Sequence, residues 1–243
     1  MGIHTQYQNK GLRGLASTTL NQESRSNGTA SLKELVVRDI IRGLYEGRYV
    51  PGQRLIEAEL TVVYGTSRST IREALNRLTA MGVVELVGQR GGQICTLTVE
   101  EAVDTLIIAE GLLKIAARVA ALRVERPGNR DRLLTALEQI KQCDPSRNFG
   151  ESGLVRDRFY SALTDISNVA GLARVLTSLR AHVVRVEYRN ILLQADQYRY
   201  YKRIADAILA GNSKAAEGAI KTQMRNAINA LLDYRKRILG KQR

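Results

Sequence analysis

Ser67, Arg68, Ser69 and Arg72 are the residues of this chain whose types and spacing best match a chemical task. Arg68 and Arg72 are four apart, so on a helix they project together, and a guanidinium can fork onto a guanine edge or clamp a phosphate. Ser67 stands where a helix N-cap belongs, its hydroxyl placed to accept from a free backbone N–H. Beside a helix N-terminus Ser67 and Ser69 also suit phosphate oxygens, which the dipole favours. An amphipathic helix with a solvated arginine face is the plainer account of two arginines. The surrounding pattern argues against it.

That pattern is LTVVYGTSRSTIREALNRLTAMGVVELVGQRGGQ, Leu60 to Gln93. It predicts a short helix over about Glu57 to Tyr64 and a turn at Gly65, where a left-handed backbone is easy for glycine. A second helix follows, with Ile71, Leu75 and Leu78 at helical spacing on its buried face. Two brief β-type runs flank a tip of Gln89, Arg90, Gly91 and Gly92. Glycine there lets backbone approach DNA closely, and Arg90 supplies charge. The order is a winged helix-turn-helix, with Ser67, Arg68, Ser69, Arg72, Arg90 and Gly91 as candidate DNA contacts. Upstream, Ser31 begins a helix that Gly47 closes, and Pro51-Gly52 makes a turn.

The formal charge is +13 over 243 residues, with a pI of about 10.0. Such a balance favours a polyanionic partner or an anionic ligand. Residues 1–30, 31–98 and 99–243 hold shares of +2, +2 and +9, so most of the excess lies outside the DNA reader. Residues 1–30 are rich in Gly, Ser, Thr, Asn and Gln and read as a flexible tail, with Lys10, Arg13 and Arg25 able to touch phosphates. Cys95 and Cys143, 48 apart with no CxxC spacing, argue against a disulfide framework or zinc site. No apolar run of roughly 18 residues and no secretory leader pattern is present, so a soluble cytoplasmic protein without membrane contact is expected.

From Thr98 the pattern is helical. Glu101 stands in capping-box position to Thr98. Further helices are expected over Asp131 to Gln142, Ser152 to Ile166, Ala170 to about Gln194, Gln197 to Ala210 and Lys214 to Ile238. Residues 99–243 thus read as an all-α bundle of six to seven helices, making the chain mainly α. Gly211-Asn212-Ser213 is a tight connector that folds the last two helices into a hairpin. At about 1.5 Å per residue it sets Tyr201 and Gln223 roughly 15 and 18 Å from the turn, near one level of the bundle. Arg156 and Tyr160, one turn apart, share a face.

GTSRSTIREALNRLTAMGVVELVGQRGG resembles the DNA-binding domain of the GntR family of bacterial transcriptional regulators, whose usual run is G-V-S-R-T-P-V-R-E-A-L-x-R-L. Thr66 replaces the valine and Ser69-Thr70 replaces Thr-Pro, while Ser67, Arg68, Arg72, Glu73, Ala74, Leu75, Arg77 and Leu78 match. The helical half, with FYSALTDISN and YYKRIADAILAGNSKAAEGAI, is similar to the FCD-type effector domain of the FadR-like branch. The resemblance covers roughly residues 32–238. It implies a homodimer that reads a palindromic operator in double-stranded DNA, with operator affinity set by a small-molecule effector; a repressor is the expected sign of action. An arginine usual near the start of the preceding helix falls on Ala58, which shifts readout toward Arg68, Arg72 and the wing.

Many such relatives hold a divalent metal through an Asp and three His, and the corresponding positions are Arg156, Tyr160, Tyr201 and Gln223. With no carboxylate or imidazole left at these four, no metal and no cofactor are expected. Arg156 instead suits an acidic organic ligand, with Tyr160, Tyr201 and Gln223 as its hydrogen-bonding partners. The competing account is a filled cavity in a domain that only dimerises, leaving a constitutive DNA binder. His182, near Arg180 and Arg185, is expected to be a structural histidine rather than a ligand. A helical-bundle enzyme lacks support, since no HExxH, GxSxG or nucleotide-binding glycine loop occurs. A protein-interaction adaptor would show no salt-dependent duplex binding.

Overall fold

The computed structural model describes residues 31–88, 91–144, 149–192 and 197–240, and the chain divides into two compact units, Met1–Thr96 and Leu97–Arg243. The tail over residues 1–30 and the wing residue Arg90 lie outside the described residues.

Ser31 caps α1 (Leu32–Glu46) through a complete capping box with Glu34, and Gly47 ends it in the left-handed conformation at φ 78°. One face of α1, including Leu35, Val36, Ile40 and Leu44, is buried. β1 (Arg54–Ile56) leads into α2 (Glu57–Tyr64), which Gly65 closes at φ 58° as the glycine turn requires. α3 (Arg68–Ala80) buries Ile71, Ala74, Leu75 and Leu78, and α1 packs against it. β2 (Val84–Leu86) and β3 (Gly91–Ile94) complete an antiparallel sheet in the order β1-β3-β2.

The sheet corrects the expected wing in two ways. A third strand, β1, joins the hairpin, and Gly91 and Gly92 lie in β3 rather than at the tip. Gly91 pairs with Ile56 and Gly92 with Leu55. A Cβ on Gly91 would stand 2.3 Å from the Leu55 carbonyl oxygen, and one on Gly92 would stand 2.4 Å from Val84 Cγ1. Close strand packing therefore accounts for both glycines without DNA.

A polar network ties this unit together. Asp39, 2 % exposed, accepts from both Arg48 terminal nitrogens at 2.9 and 3.2 Å and from the Tyr64 hydroxyl at 2.8 Å; Tyr64 is also hydrogen-bonded to Tyr49 at 3.0 Å. The buried charge is thus paired and hydrogen-bonded, the condition under which burial of a carboxylate is tolerated.

The second unit is entirely helical in its described residues: α4 (Val99–Arg123), α5 (Asn129–Gln142), α6 (Phe149–Ser167), α7 (Leu172–Ser178), α8 (Ala181–Glu187), α9 (Arg189–Leu192), α10 (Gln197–Leu209) and α11 (Ser213–Gly240). Thr98 and Glu101 form the expected capping box at the start of α4. Gly211 at φ 66° turns α10 into α11, and the Asn212 side chain accepts from the Ala215 amide. Ala116, Ala120, Leu133, Phe159, Leu163, Ile204 and Ile220 lie in one continuous core. No described helix is long and apolar enough to cross a membrane.

The single helix expected over Ala170 to Gln194 is instead three short ones. Arg180 breaks the run in the left-handed region at φ 55°, and Tyr188 ends α8. Val183, Val184 and Val186 lower helix propensity because branching at Cβ costs side-chain freedom against the preceding turn. The break seats Val183 and Val184 in full burial and sets His182 and Arg185 beside Asp157. The expected count of six to seven helices becomes eight among the described residues.

Candidate DNA reader and effector cavity

The start of α3 is built as the sequence predicts. Ser67 is the N-cap, its Oγ accepting from the Thr70 amide at 3.2 Å while bonded to the Ser69 and Thr70 hydroxyls at 2.8 and 2.9 Å. The three hydroxyls form a polar collar around the helix N-terminus, where the backbone dipole favours an anion. Ser67, Arg68, Ser69 and Arg72 are all exposed. Arg72 is not simply a second reaching arginine: its Nε and Nη2 donate to the two oxygens of Glu57 at 3.0 and 3.1 Å. Glu57 on α2 therefore fixes the Arg72 fork. The pair was missed because Glu57 and Arg72 are fifteen residues apart and meet only through the turn at Gly65. Ala58 is exposed in the first turn of α2.

In the helical unit, Arg156, Tyr160, Tyr201 and Gln223 all line one cavity of about 80 Å³, with Arg185, Tyr200 and Met224 among its other walls. α6 supplies the first two, α10 Tyr201 and α11 Gln223. The Tyr160 hydroxyl donates to Gln223 Oε1 at 2.8 Å. Burial pushes the Tyr160 phenol well above its ordinary range, with the neighbouring Tyr201 adding to the rise, so it stays protonated and able to donate. Phe159 and Tyr201 meet edge to face at 5.0 Å between centroids, which fixes the aromatic wall.

A second cavity of about 150 Å³ shares Leu106, Tyr160, Arg185 and Met224 with the first. Its polar wall is a cluster that sequence reading did not assemble. Asp157 pairs with Arg185, and His182 Nδ1 lies 3.1 Å from Asp157 Oδ2. Arg185 also stands 5.6 Å from the centroid of the Tyr160 ring. Burial lowers the His182 pKa from 6.5 to about 4, leaving a neutral imidazole that donates from Nδ1 to Asp157. Asp157 and His182 are 25 residues apart, and only the break at Arg180 turns His182 toward the carboxylate. The available signal was Asp157 itself, adjacent to Arg156 on the same helix.

The four residues at the relatives' metal positions do not suit a divalent cation. A guanidinium brings positive charge, a carboxamide is a weak donor, and the Tyr160 phenol is held in its protonated form. Among the described residues no group of three or more His, Cys, Asp or Glu is placed to hold a metal.

Residues 32–94 match the family described as bacterial regulatory proteins, gntR family, and residues 108–226 match the FCD domain. The HTH-type transcriptional regulator LutR of Bacillus subtilis is 27 % identical over 212 residues, covering 77 % of this chain and 95 % of that protein. A probable D-xylose utilization operon transcriptional repressor of Paenarthrobacter nicotinovorans is 24 % identical over 210 residues, covering 83 % and 88 %. Among solved structures, Escherichia coli McbR/YncC aligns with a TM-score of 0.72 at 20 % identity, over 85 % of this chain and 99 % of that one, a likeness of fold. The two matched segments account for the capped recognition helix and for the helical unit around the cavity. The chain belongs to the GntR family of DNA-binding transcriptional regulators, with an FCD domain as its helical half.

Proposed function

We propose that this regulator is a homodimeric repressor that reads a palindromic operator in double-stranded DNA and whose affinity is controlled by a small acidic organic ligand bound at Arg156. The observation that carries the ligand class is the convergence of the Arg156 cation, the Tyr160 donor, Tyr201 and Gln223 on one cavity that lacks a metal-ligating set. Guanidinium is a donor matched to a carboxylate, and the ligand would take over the Tyr160 proton that Gln223 Oε1 accepts. Both cavities are small against the ~300–1,000 Å³ of drug-sized sites, so a compact acid fits better than a long-chain one. The protein acts in the cytoplasm, where its DNA target lies.

The hold of α8 on the first residue of the helical unit supports this reading. α8 carries His182 and Arg185 on the cavity wall and Glu187 at its end. Glu187 accepts from the Leu97 amide at 2.7 Å, and the adjacent Tyr188 hydroxyl donates to the Leu97 carbonyl at 2.7 Å. Leu97 is the first residue after the DNA-binding unit. A ligand that shifts α8 changes the grip on that residue, which gives the differential contact that coupling between two sites requires.

Thermal-shift screening with small mono-, di- and hydroxycarboxylic acids tests the assignment. At ligand concentrations about 100-fold above Kd, stabilisation of roughly 2.7 kcal/mol is expected. Arg156→Ala should abolish it. No stabilisation by any acid, or a shift that survives Arg156→Ala, contradicts the carboxylate clamp.

A further inference from the structure

α4 presents an outer face that the described residues leave uncovered. Its inner side is buried through Ala102, Ala109, Leu113, Ala116, Ala117 and Ala120. On the other side Ile107, Ile108 and Ile115 are 51, 52 and 38 % exposed. Three large branched side chains on one exposed stripe are unusual for a helix whose outer face meets only water. At the centre of the stripe is Gly111, where an added Cβ would meet nothing within 4 Å.

The stripe is self-complementary about Gly111. Asp104 lies seven residues before it and Arg118 seven after; Ile107 and Ile115 lie four before and four after. At 100° per residue these positions fall within about 40° of the Gly111 direction, so they form one face. When two copies of α4 cross antiparallel at Gly111, each Asp104 faces Arg118 of the partner subunit, about 10 Å from the axis. Each Ile107 then meets Ile115 of the partner subunit. Asp104 and Arg118 are both exposed, and the Arg118 side chain makes a 3.4 Å contact to Glu217 among the described residues. The missing Cβ at Gly111 lets the two backbones approach closely at the crossing point.

We infer that the outer face of α4 is the surface on which a second copy of this chain docks, antiparallel about a two-fold axis through Gly111, with two reciprocal Asp104–Arg118 pairs fixing the register. An isologous contact requires a patch that complements itself on rotation, and this spacing of opposite charges and matching isoleucines provides one. The inference rests on the homodimer reading above and adds its surface and register.

Sedimentation velocity on the full chain at several concentrations tests it, with far-UV circular dichroism and thermal unfolding confirming that each variant is folded. The wild type should sediment at twice the 27.0 kDa of one chain. Ile108→Glu should give the monomer. Asp104→Arg and Arg118→Asp should each raise the dissociation constant roughly tenfold, since two attractive pairs become repulsive. The double variant D104R/R118D should return it to near the wild-type value. Because the exchange leaves the Arg118–Glu217 contact broken, only an Asp104–Arg118 pairing explains such rescue. A folded wild type that is monomeric at all concentrations overturns the homodimer reading and this surface together. A dimer indifferent to Ile108→Glu and to both charge reversals, as when another segment covers the stripe, overturns this surface and leaves the homodimer reading standing. Weakening by single reversals without rescue overturns the register.

Discussion

The two halves of the molecule both pair their buried polar groups, but only one of them does so around open space. In the DNA-binding unit Asp39, Arg48, Tyr49 and Tyr64 are spent on each other in one connected interior network, and the reading residues stand outside at the start of α3. In the helical unit Arg156, Tyr160, Tyr201, Gln223, Asp157, His182 and Arg185 line two adjoining cavities. The contrast separates a network closed on itself behind the start of α3 from one whose members, although paired with one another, also line a cavity. Under the proposed function, the first network pre-organises a few placed contacts and the second exchanges its internal pairs for contacts to a ligand.

The largest effect that would break this contrast is in the first network. Asp39→Ala removes the acceptor of the Tyr64 hydroxyl and one of the two carboxylates on Arg48, whose Nε stays paired with Glu46 at 2.7 Å, so stability should fall by about 2–4 kcal/mol in denaturant unfolding. A loss below about 1 kcal/mol would mean that the network is decorative. In the second network, His182 titrates at about 4 in the folded protein against 6.5 in an unfolded chain. The unfolded state therefore binds the extra proton between these values, and stability should fall as the pH drops from about 6.5 to 4, by at most about 3 kcal/mol. His182→Gln should flatten that slope in pH-dependent unfolding.

Smaller effects sharpen the difference between reading and holding. Arg68→Ala should cost about 1–3 kcal/mol of operator affinity and relax preference at one base step, measured by anisotropy on matched and mismatched duplexes. Arg72→Ala should cost less, because Glu57 already occupies two of its donors. Equal losses would show that the Glu57 pair is released on binding. Smallest, Gly91→Ala should destabilise the DNA-binding unit by about 1–2 kcal/mol through its clash with the Leu55 carbonyl, without changing sequence preference.

What the sequence disclosed follows the same division. Helix ends with local chemistry were legible: Ser31, Ser67, Gly65 and Thr98 with Glu101 all cap or turn as read, because each signal lies within four residues of its partner. β1 was not, since three residues carry too little periodicity and its partner β3 is 37 positions away. Separations of 25 and 15 positions likewise hid the Asp39–Tyr64 bond and the Glu57–Arg72 pair. Residues 170–194 read as one helix because no proline or central glycine interrupts them, yet packing of Val183 and Val184 forces the break at Arg180. The quartet at Arg156 was within reach through the family resemblance, to which the short connector at Gly211 adds only the level of Tyr201 against Gln223. Asp157 and His182 had no such ruler.

The most direct test of the account is a salt titration of the wild-type protein on a duplex selected from the genome of its source, followed by anisotropy beside a scrambled duplex of equal length. Specific affinity should exceed that for the scrambled duplex by about 10³-fold or more and fall linearly in log Kd against log salt. Equal affinity for both duplexes, or binding that does not respond to salt, would contradict a DNA reader built on Ser67, Arg68, Ser69 and Arg72.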